Sequence, residues 1–325
     1  MQTQEPSLRF KEGVKVPRRS PRFPGLARHR EAIGNARGMA LVLTLSVMAI
    51  ITAMVVEFSY GVYISNQALY NFQSAQRLSL MAKSGVRLAA RTLSENAQQY
   101  PYTYPGASEV SHRGFFKDSP GVVTLRIEDE NSKFNVNSLL YPNGILNEGA
   151  FHQFVRLLGA LDLSPSIADR VVDWIDPDQE PRLPDSEKAS KDLSLDSLDE
   201  MLLIPGLDRA VYEKLLPYIT IYGNGMININ GAEVPVLISL SDAINKEMAE
   251  RILNFRRVAP FEKAEEIVKV AGFEVIGQSL MGRITVKGDA FRVIATAGED
   301  DWKRIIETVL TLSEGQATIR YWKEF

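Results

Sequence analysis

The sequence predicts an α+β protein: a long N-terminal helix that first crosses a lipid bilayer, an antiparallel sheet, and a large all-helical insertion between the sheet strands. Three observations predict it. An uncharged apolar run, Met39–Val56, opens a stretch with no proline before residue 101. Apolar and polar residues alternate at 121–140 and again at 290–325. Between those segments lie about 150 residues whose apolar positions recur at helical spacing.

The chain has 325 residues, 45% of them hydrophobic, enough for a substantial core and more than one domain. It contains no cysteine, which excludes a disulfide framework, a thiolate metal site and a cysteine nucleophile. The net charge of −3 hides an asymmetry. Residues 1–38 carry nine Lys/Arg against three Asp/Glu, a net of +6, which leaves −9 for residues 39–325. An acidic folded part is a poor general ligand for nucleic acid, whose affinity comes largely from phosphate neutralisation.

Helical rise gives Met39–Val56 a length of about 27 Å, just short of the ~30 Å hydrocarbon core of a bilayer. Phe58, Tyr60, Val62, Tyr63 and Ile64 follow Glu57 and supply the remainder, with tyrosines at interfacial depth. The basic leader belongs on the cytoplasmic side and the acidic bulk outside. Three readings fit this segment. A secretory signal peptide requires small residues at a cleavage site after the run, and "VEFSYGVY" has no such pattern. A plain signal anchor is the second. The third places cleavage before the run, at Gly38–Met39.

The helix is expected to continue beyond the bilayer to Gln99, about 90 Å in all by helical rise. Leu69, Phe72, Gln76, Leu78, Ala82, Leu88, Ala89 and Leu93 form an intermittent stripe, and Arg77, Lys83, Arg87 and Arg91 lie largely off it. "YPYTYPGAS" then ends it, with prolines at 101 and 105. In "GVVTLRIEDENSKFNVNSLL" (121–140) Val123, Leu125 and Ile127 alternate with polar neighbours, "EDENS" reads as a turn, and Phe134 and Val136 alternate again. Segments 290–298, 303–312 and 317–325 give three more strands, separated by "GEDD" and "SEGQ". Inside the insertion "AFHQFVRLLGAL", "SPSIADRVVDWI", "SLDSLDEMLLI" and "DRAVYEKLLPYI" read as short capped helices. A second helical stretch, "NGAEVPVLISL", "NKEMAERILNFRR" and "FEKAEEIVKVAGF", follows "MININ".

The leader resembles those of prepilins, which end in a basic stretch and a glycine, here "ARG". In most such proteins the fifth mature residue is glutamate; here it is Leu43. An ionised carboxylate in lipid is costly without a positive partner. The resemblance to pilins implies that the partner is the N-terminal ammonium of a neighbouring subunit, so a subunit with no neighbour on that side should lack the acid. The minor pseudopilin K family of type II secretion is the family without this glutamate. Three internal segments are similar to it in order: "EDENSKFNVNSL" (128–139), with Ser132 where that family has glycine, "VVDWIDPDQEPRLPDSE" (171–187) and "MININGAEVPVLISL" (226–240). The resemblance implies a pilin-like fold with the long transmembrane helix packed on the antiparallel sheet. Its parts would be a cytoplasmic leader (1–38), the long helix (39–100), a pseudopilin-like α/β domain in two parts (101–140 and 286–325), and an inserted α-helical domain (141–285).

The cluster Asp173, Asp176, Asp178 and Glu180 supplies hard oxygen ligands of the kind calcium takes. It lacks the central glycine and the twelfth-position glutamate of an EF-hand, and the same acids serve equally to cap and turn, with Asp176 before Pro177 stopping a helix. The resemblance makes calcium a candidate ligand; no cofactor is required. Catalysis finds no motif: His29, His112 and His152 are scattered, and no nucleophile elbow, zinc-helix or P-loop pattern occurs. The chain is read as no enzyme.

The competing reading is a membrane-anchored DNA receptor of competence type. Residues 202–219 and 229–273 resemble helix-hairpin-helix pieces, whose glycine hairpins offer backbone N–H groups to phosphate. Here the first hairpin is "PGLD", with Asp208 in the second glycine's place, and "SDAIN" has no glycine. No nucleic-acid partner is expected. The family resemblance implies instead a tip subunit of the pseudopilus that nucleates or caps assembly for protein export. It implies cleavage at Gly38–Met39 by prepilin peptidase, N-methylation, and pseudopilin partners of the I, J and H types. Secreted substrates and the outer-membrane secretin are further implied partners. The expected location is the inner membrane, single pass, with the C-terminal domain in the periplasm.

Overall fold

The computed structural model describes residues 29–103, 108–113, 121–184, 186 and 190–325. It divides into two compact units that part between Tyr70 and Asn71. Helix α1 runs His29–Gln99, so its helical backbone starts ten residues upstream of the Met39 expected from sequence. In the first unit its apolar side chains from Met39 to Ile64 are exposed.

In the second unit five strands form one antiparallel sheet. They are β1 (Ser108–Arg113), β2 (Val122–Asp129), β7 (Ala290–Glu299), β8 (Trp302–Ser313) and β9 (Gln316–Glu324), paired in that spatial order. Four two-residue strands lie between β2 and β7 along the chain. Leu78, Met81, Ala82, Val86, Ala89 and Leu93 of α1 cover one sheet face, meeting Val123, Leu125, Phe291, Val293, Ala295, Ala297, Ile306 and Leu310. The stripe expected from sequence therefore begins at Leu78; Leu69 and Phe72 are exposed. Gly85 stands at the closest approach, where a Cβ would come within 2.9 Å of both Leu125 Cδ2 and Val123 Cγ1. The β8–β9 hairpin turns on Glu314 and Gly315, φ 52° and 79°. Two successive positive φ values match the right-handed twist of the flanking strands.

Five strands were expected, but one was the wrong segment. Beyond "EDENS" only Phe134–Asn135 is extended (β3), and Val136–Leu139 is a 3₁₀ turn capped by the Asn135 side chain, which accepts the Asn137 N–H at 3.0 Å. Phe134 and Val136 alternate, yet both bury in the insertion's core rather than on the sheet. The fifth sheet strand is β1.

The insertion is a tandem repeat. In its first half β3 pairs in parallel with β4 (Ile219–Thr220), enclosing α2 (Glu148–Ala160), α3 (Ser166–Ile175) and α4 (Arg209–Leu215). In its second half β5 (Ile227–Asn228) pairs in parallel with β6 (Ile284–Thr285), enclosing α5 (Val234–Ser239), α6 (Lys246–Val258) and α7 (Ile276–Ser279). The same devices recur in each half. Phe134-Asn135-Val136-Asn137 matches Ile227-Asn228-Ile229-Asn230, and the closing Ile219-Thr220-Ile221-Tyr222-Gly223 matches Ile284-Thr285-Val286-Lys287-Gly288. Asn137 exchanges two hydrogen bonds with the Leu195 backbone, as Asn230 does with Phe261. Gly206 and Gly272 adopt φ 89° and 93°, which only glycine takes without strain. The "SLDEMLLI" and "AEEIVK" segments, expected as α-helices, are 3₁₀ turns at Leu198–Leu203 and Ala264–Lys269. Within each turn a glutamate (Glu200, Glu266) accepts the backbone N–H groups of the two residues that precede the turn. One continuous apolar core joins the halves, and Arg156 of α2 donates to the Ser239 carbonyl at the end of α5 (2.8 Å). What the second half lacks is the acidic loop 176–196; its counterpart is only 259–262.

Candidate functional site

The N-terminal site is defined by composition. Met39–Val56 carries no charge, and Gly38–Gln99 is the one described helix long and apolar enough to cross a membrane. Gly38, Met39 and Leu43 all lie within α1 and are exposed. Leu43 occupies its position as one apolar side chain among others.

The root of the insertion is a buried polar hub that sequence reading took for a simple turn. Glu130 is fully buried and bonds Lys133 (2.9 Å), Arg292 (2.9 Å) and the Thr220 hydroxyl. Burial pushes its pKa up, but Lys133 and Arg292 outweigh burial and hold the carboxyl below its usual range. Arg292 also pairs with Glu307. Asp129 accepts from Asn228 Nδ2 (2.6 Å) and the Asn131 N–H (2.9 Å), and burial raises its pKa to about 6. Asn131 Oδ1 accepts from the Asp289 and Ala290 N–H groups, and its Nδ2 reaches Asn224. Three consecutive residues thus tie the end of β2 to the start of β7 and to both repeats. The available signal was an acid-acid-amide triplet followed by Lys133, directly after an alternating strand.

The four acids of the expected metal cluster are split. Asp173 and Asp176 are buried at the end of α3, whereas Asp178 and Glu180 are exposed, with Asp178 accepting the Glu180 N–H (2.8 Å). Asp173 Oδ2 accepts from the Arg182 N–H (2.9 Å) and from the Ser186 hydroxyl, and Arg182 Nε stands 3.5 Å from Oδ1. No three metal-ligating side chains converge among the described residues. Among the described residues, the buried oxygens Asp173 Oδ1 and Asp192 Oδ1 in this loop nevertheless have no hydrogen-bond donor. A hard cation would satisfy such oxygens. The residues fit calcium in part, and Asp192 was missing from the sequence-based set because it stands 12 residues beyond Glu180.

In the hairpin-like segments side chains cap the helix starts. Asp208 caps α4 by accepting the Val211 N–H (2.8 Å), and Asn245 caps α6 by accepting the Met248 N–H (3.0 Å). Arg256 donates to the Ile229 and Ala232 carbonyls at 2.8 and 2.7 Å. It braces the second repeat.

Comparison with known proteins follows the repeat boundaries. Two family profiles for type II secretion system (T2SS) protein K match, one over residues 132–224 and one over 227–287. The chain is 27% identical over 258 residues to the type II secretion system protein K of Pseudomonas aeruginosa, covering 71% of this chain and 76% of that protein. It is 25% identical over 223 residues to the protein of the same name from Klebsiella pneumoniae, covering 60% and 65%. Among solved structures it is similar to a chain of the GspK-GspI-GspJ complex of the enterotoxigenic Escherichia coli type 2 secretion system. That match has a TM-score of 0.62 at 19% identity and covers 80% of this chain and 99% of that one. The α+β architecture expected from sequence, with its helical insertion, is the architecture observed. Residues 132–224 and 227–287 are thus similar to type II secretion system protein K, and the matches together support that family and the role of a minor pseudopilin.

Proposed function

We propose that this chain is a non-enzymatic tip subunit of a type II secretion pseudopilus, nucleating or capping its assembly. The observation that carries the reading is Leu43: an uncharged residue where a subunit with a neighbour beyond it would need a carboxylate. Prepilin peptidase removes residues 1–38 on the cytoplasmic face, freeing the Met39 ammonium, which is then methylated. The apolar helix packs with those of I-, J- and H-type pseudopilins, and the folded part lies in the periplasm. The basic leader supports that orientation, and the complex of the E. coli relative supports I- and J-type partners. The helical insertion faces secreted substrates and the secretin.

Leu43→Glu tests it. The variant should insert and mature but impair assembly with its partners and secretion. Wild-type assembly and secretion would overturn the tip reading. N-terminal sequencing of the mature protein should begin at Met39, and Gly38 replacement should retain the leader.

Calcium binding in loop 173–192 is a second part of the reading, supported by the two buried oxygens of Asp173 and Asp192. Millimolar calcium should raise the melting temperature above its value in EDTA, and Asp192→Asn should abolish the rise. An equal rise in both proteins would remove the site.

A further inference from the structure

Strand β9 is an edge. Nine residues long and free of proline, it pairs only with β8 among the described residues. Long edge strands of this kind are normally shortened, covered or blunted, because their unpaired N–H and C=O groups template further pairing.

The hydrogen-bond phase shows which groups are open. Ile305 and Phe325 exchange both backbone hydrogen bonds, at 2.9 and 3.3 Å. In an antiparallel ladder such pairs alternate, so Lys323 and Tyr321 also bond inward, toward Glu307 and Val309. Trp322 and Glu324 therefore direct their N–H and C=O groups away from β8.

The two faces of the edge differ in chemistry. Trp322 and Ile319 pair with Thr308 and Leu310, placing them on the α1 face, yet they remain 39% and 53% exposed. On the opposite face Lys323 stands across from Glu307, whose carboxylate is engaged by Arg292, and Arg320 reaches Thr311 (3.2 Å). Neither Arg320 nor Lys323 forms an ion pair among the described residues. A bulge between Val309 and Leu310 sets Arg320 as the extra residue, which adds twist without blocking the outer edge.

We propose that β9 is a strand-addition site for an extended segment of a partner protein, with apolar side chains on one face alternating with Asp or Glu on the other. Backbone pairing with Trp322 and Glu324 would supply affinity. Apolar contact at Ile319 and Trp322 and charge complementarity at Arg320 and Lys323 would supply specificity. The inference does not depend on the tip assignment, since a subunit at any level of a fibre could offer this edge.

The test uses the full chain in detergent micelles and two synthetic peptides of about nine residues, one alternating valine with glutamate and one valine with lysine. Amide hydrogen exchange is read with each. The glutamate peptide should slow exchange at Trp322 and Glu324 by about tenfold or more, leave Tyr321 and Lys323 unchanged, and outcompete the lysine peptide. Trp322→Pro removes an outward N–H that β8 does not use and should abolish protection. Lys323→Glu, which leaves the ladder intact, should weaken the glutamate peptide and strengthen the lysine peptide. Equal binding of both peptides, no protection by either, or an unaltered preference in Lys323→Glu would overturn the proposal. So would protection that grows with protein concentration without peptide, which would assign the edge to a second copy. Leu43→Glu should leave all these readings unchanged, separating this failure from failure of the tip reading.

Discussion

Gly231 and Ser132 occupy one space. A Cβ built on Gly231 would overlap the Ser132 hydroxyl and lie 3.0 Å from the Ser132 Cβ. Ser132 follows the buried triplet Asp129–Asn131, and Gly231 follows the Asn230 that brackets Phe261, so the side chain present at one position requires its absence at the other. Gly231→Ala should destabilise by about 1–3 kcal/mol, the usual cost of overpacking. Ser132→Gly should relieve most of it, with a coupling of about 1 kcal/mol or more in a double-mutant cycle by urea unfolding. Additive effects would show that the contact does not bind the two segments.

Gly85 sets two effects in opposition. Alanine in a helix interior is favoured over glycine by about 1 kcal/mol. Against that, its methyl would press Leu125 and Val123 at 2.9 Å, and both are buried under α1, so the clash cannot be relieved at a free end. Overpacking of about 1–3 kcal/mol should win. Gly85→Ala should lower the melting temperature, and Gly85→Leu should lower it further. A stabilised Gly85→Ala would mean that the sheet recedes from the helix.

Asp129 makes stability fall with rising pH over a defined window. Its carboxyl holds its proton more tightly folded than unfolded, with a folded value of about 6. The stability it contributes is therefore complete below about pH 4 and lost as pH rises through about 6. The whole span corresponds to about 3 kcal/mol. Glu130, held low by Lys133 and Arg292, has the opposite sign and loses its contribution as pH falls below the ordinary glutamate range. Asp129→Asn isolates the first effect: its stability relative to the parent should improve by up to about 3 kcal/mol between pH ~4 and ~7. A difference that does not change with pH in urea titrations would contradict the assignment.

Arg292 neutralises a carboxylate with no access to solvent. Arg292→Met should leave Glu130 with Lys133 alone and cost about 3–5 kcal/mol, as breaking a buried pair does. The double variant Glu130→Gln with Arg292→Met should recover a large part of that loss, because no uncompensated charge remains. Equal destabilisation of the single and double variants in thermal unfolding would show that Arg292 acts by packing.

What residues 39–56 and 290–325 become was settled by their own composition and alternation. Eighteen uncharged residues favour an apolar surrounding over a solvated loop, and alternation sustained over nine or more positions suits a half-buried strand. Leu43 is equally local, an uncharged residue within that run. The tertiary structure alone decided the rest. Phe134-Asn135-Val136 has a strand's pattern, but the Asn135 amide captures the Asn137 N–H and turns the chain. Glu130 meets Arg292 at a distance of 162 residues along the chain, and Asp173 shares its loop with Asp192 only after α3 has ended. The duplicated insertion was written in Ile-Thr-Ile-Tyr-Gly and Ile-Thr-Val-Lys-Gly, too short to stand out until two parallel bridges placed them alike. Side-chain hydrogen bonds and ion pairs between distant segments have no periodicity, so they become visible only when the fold brings their partners together.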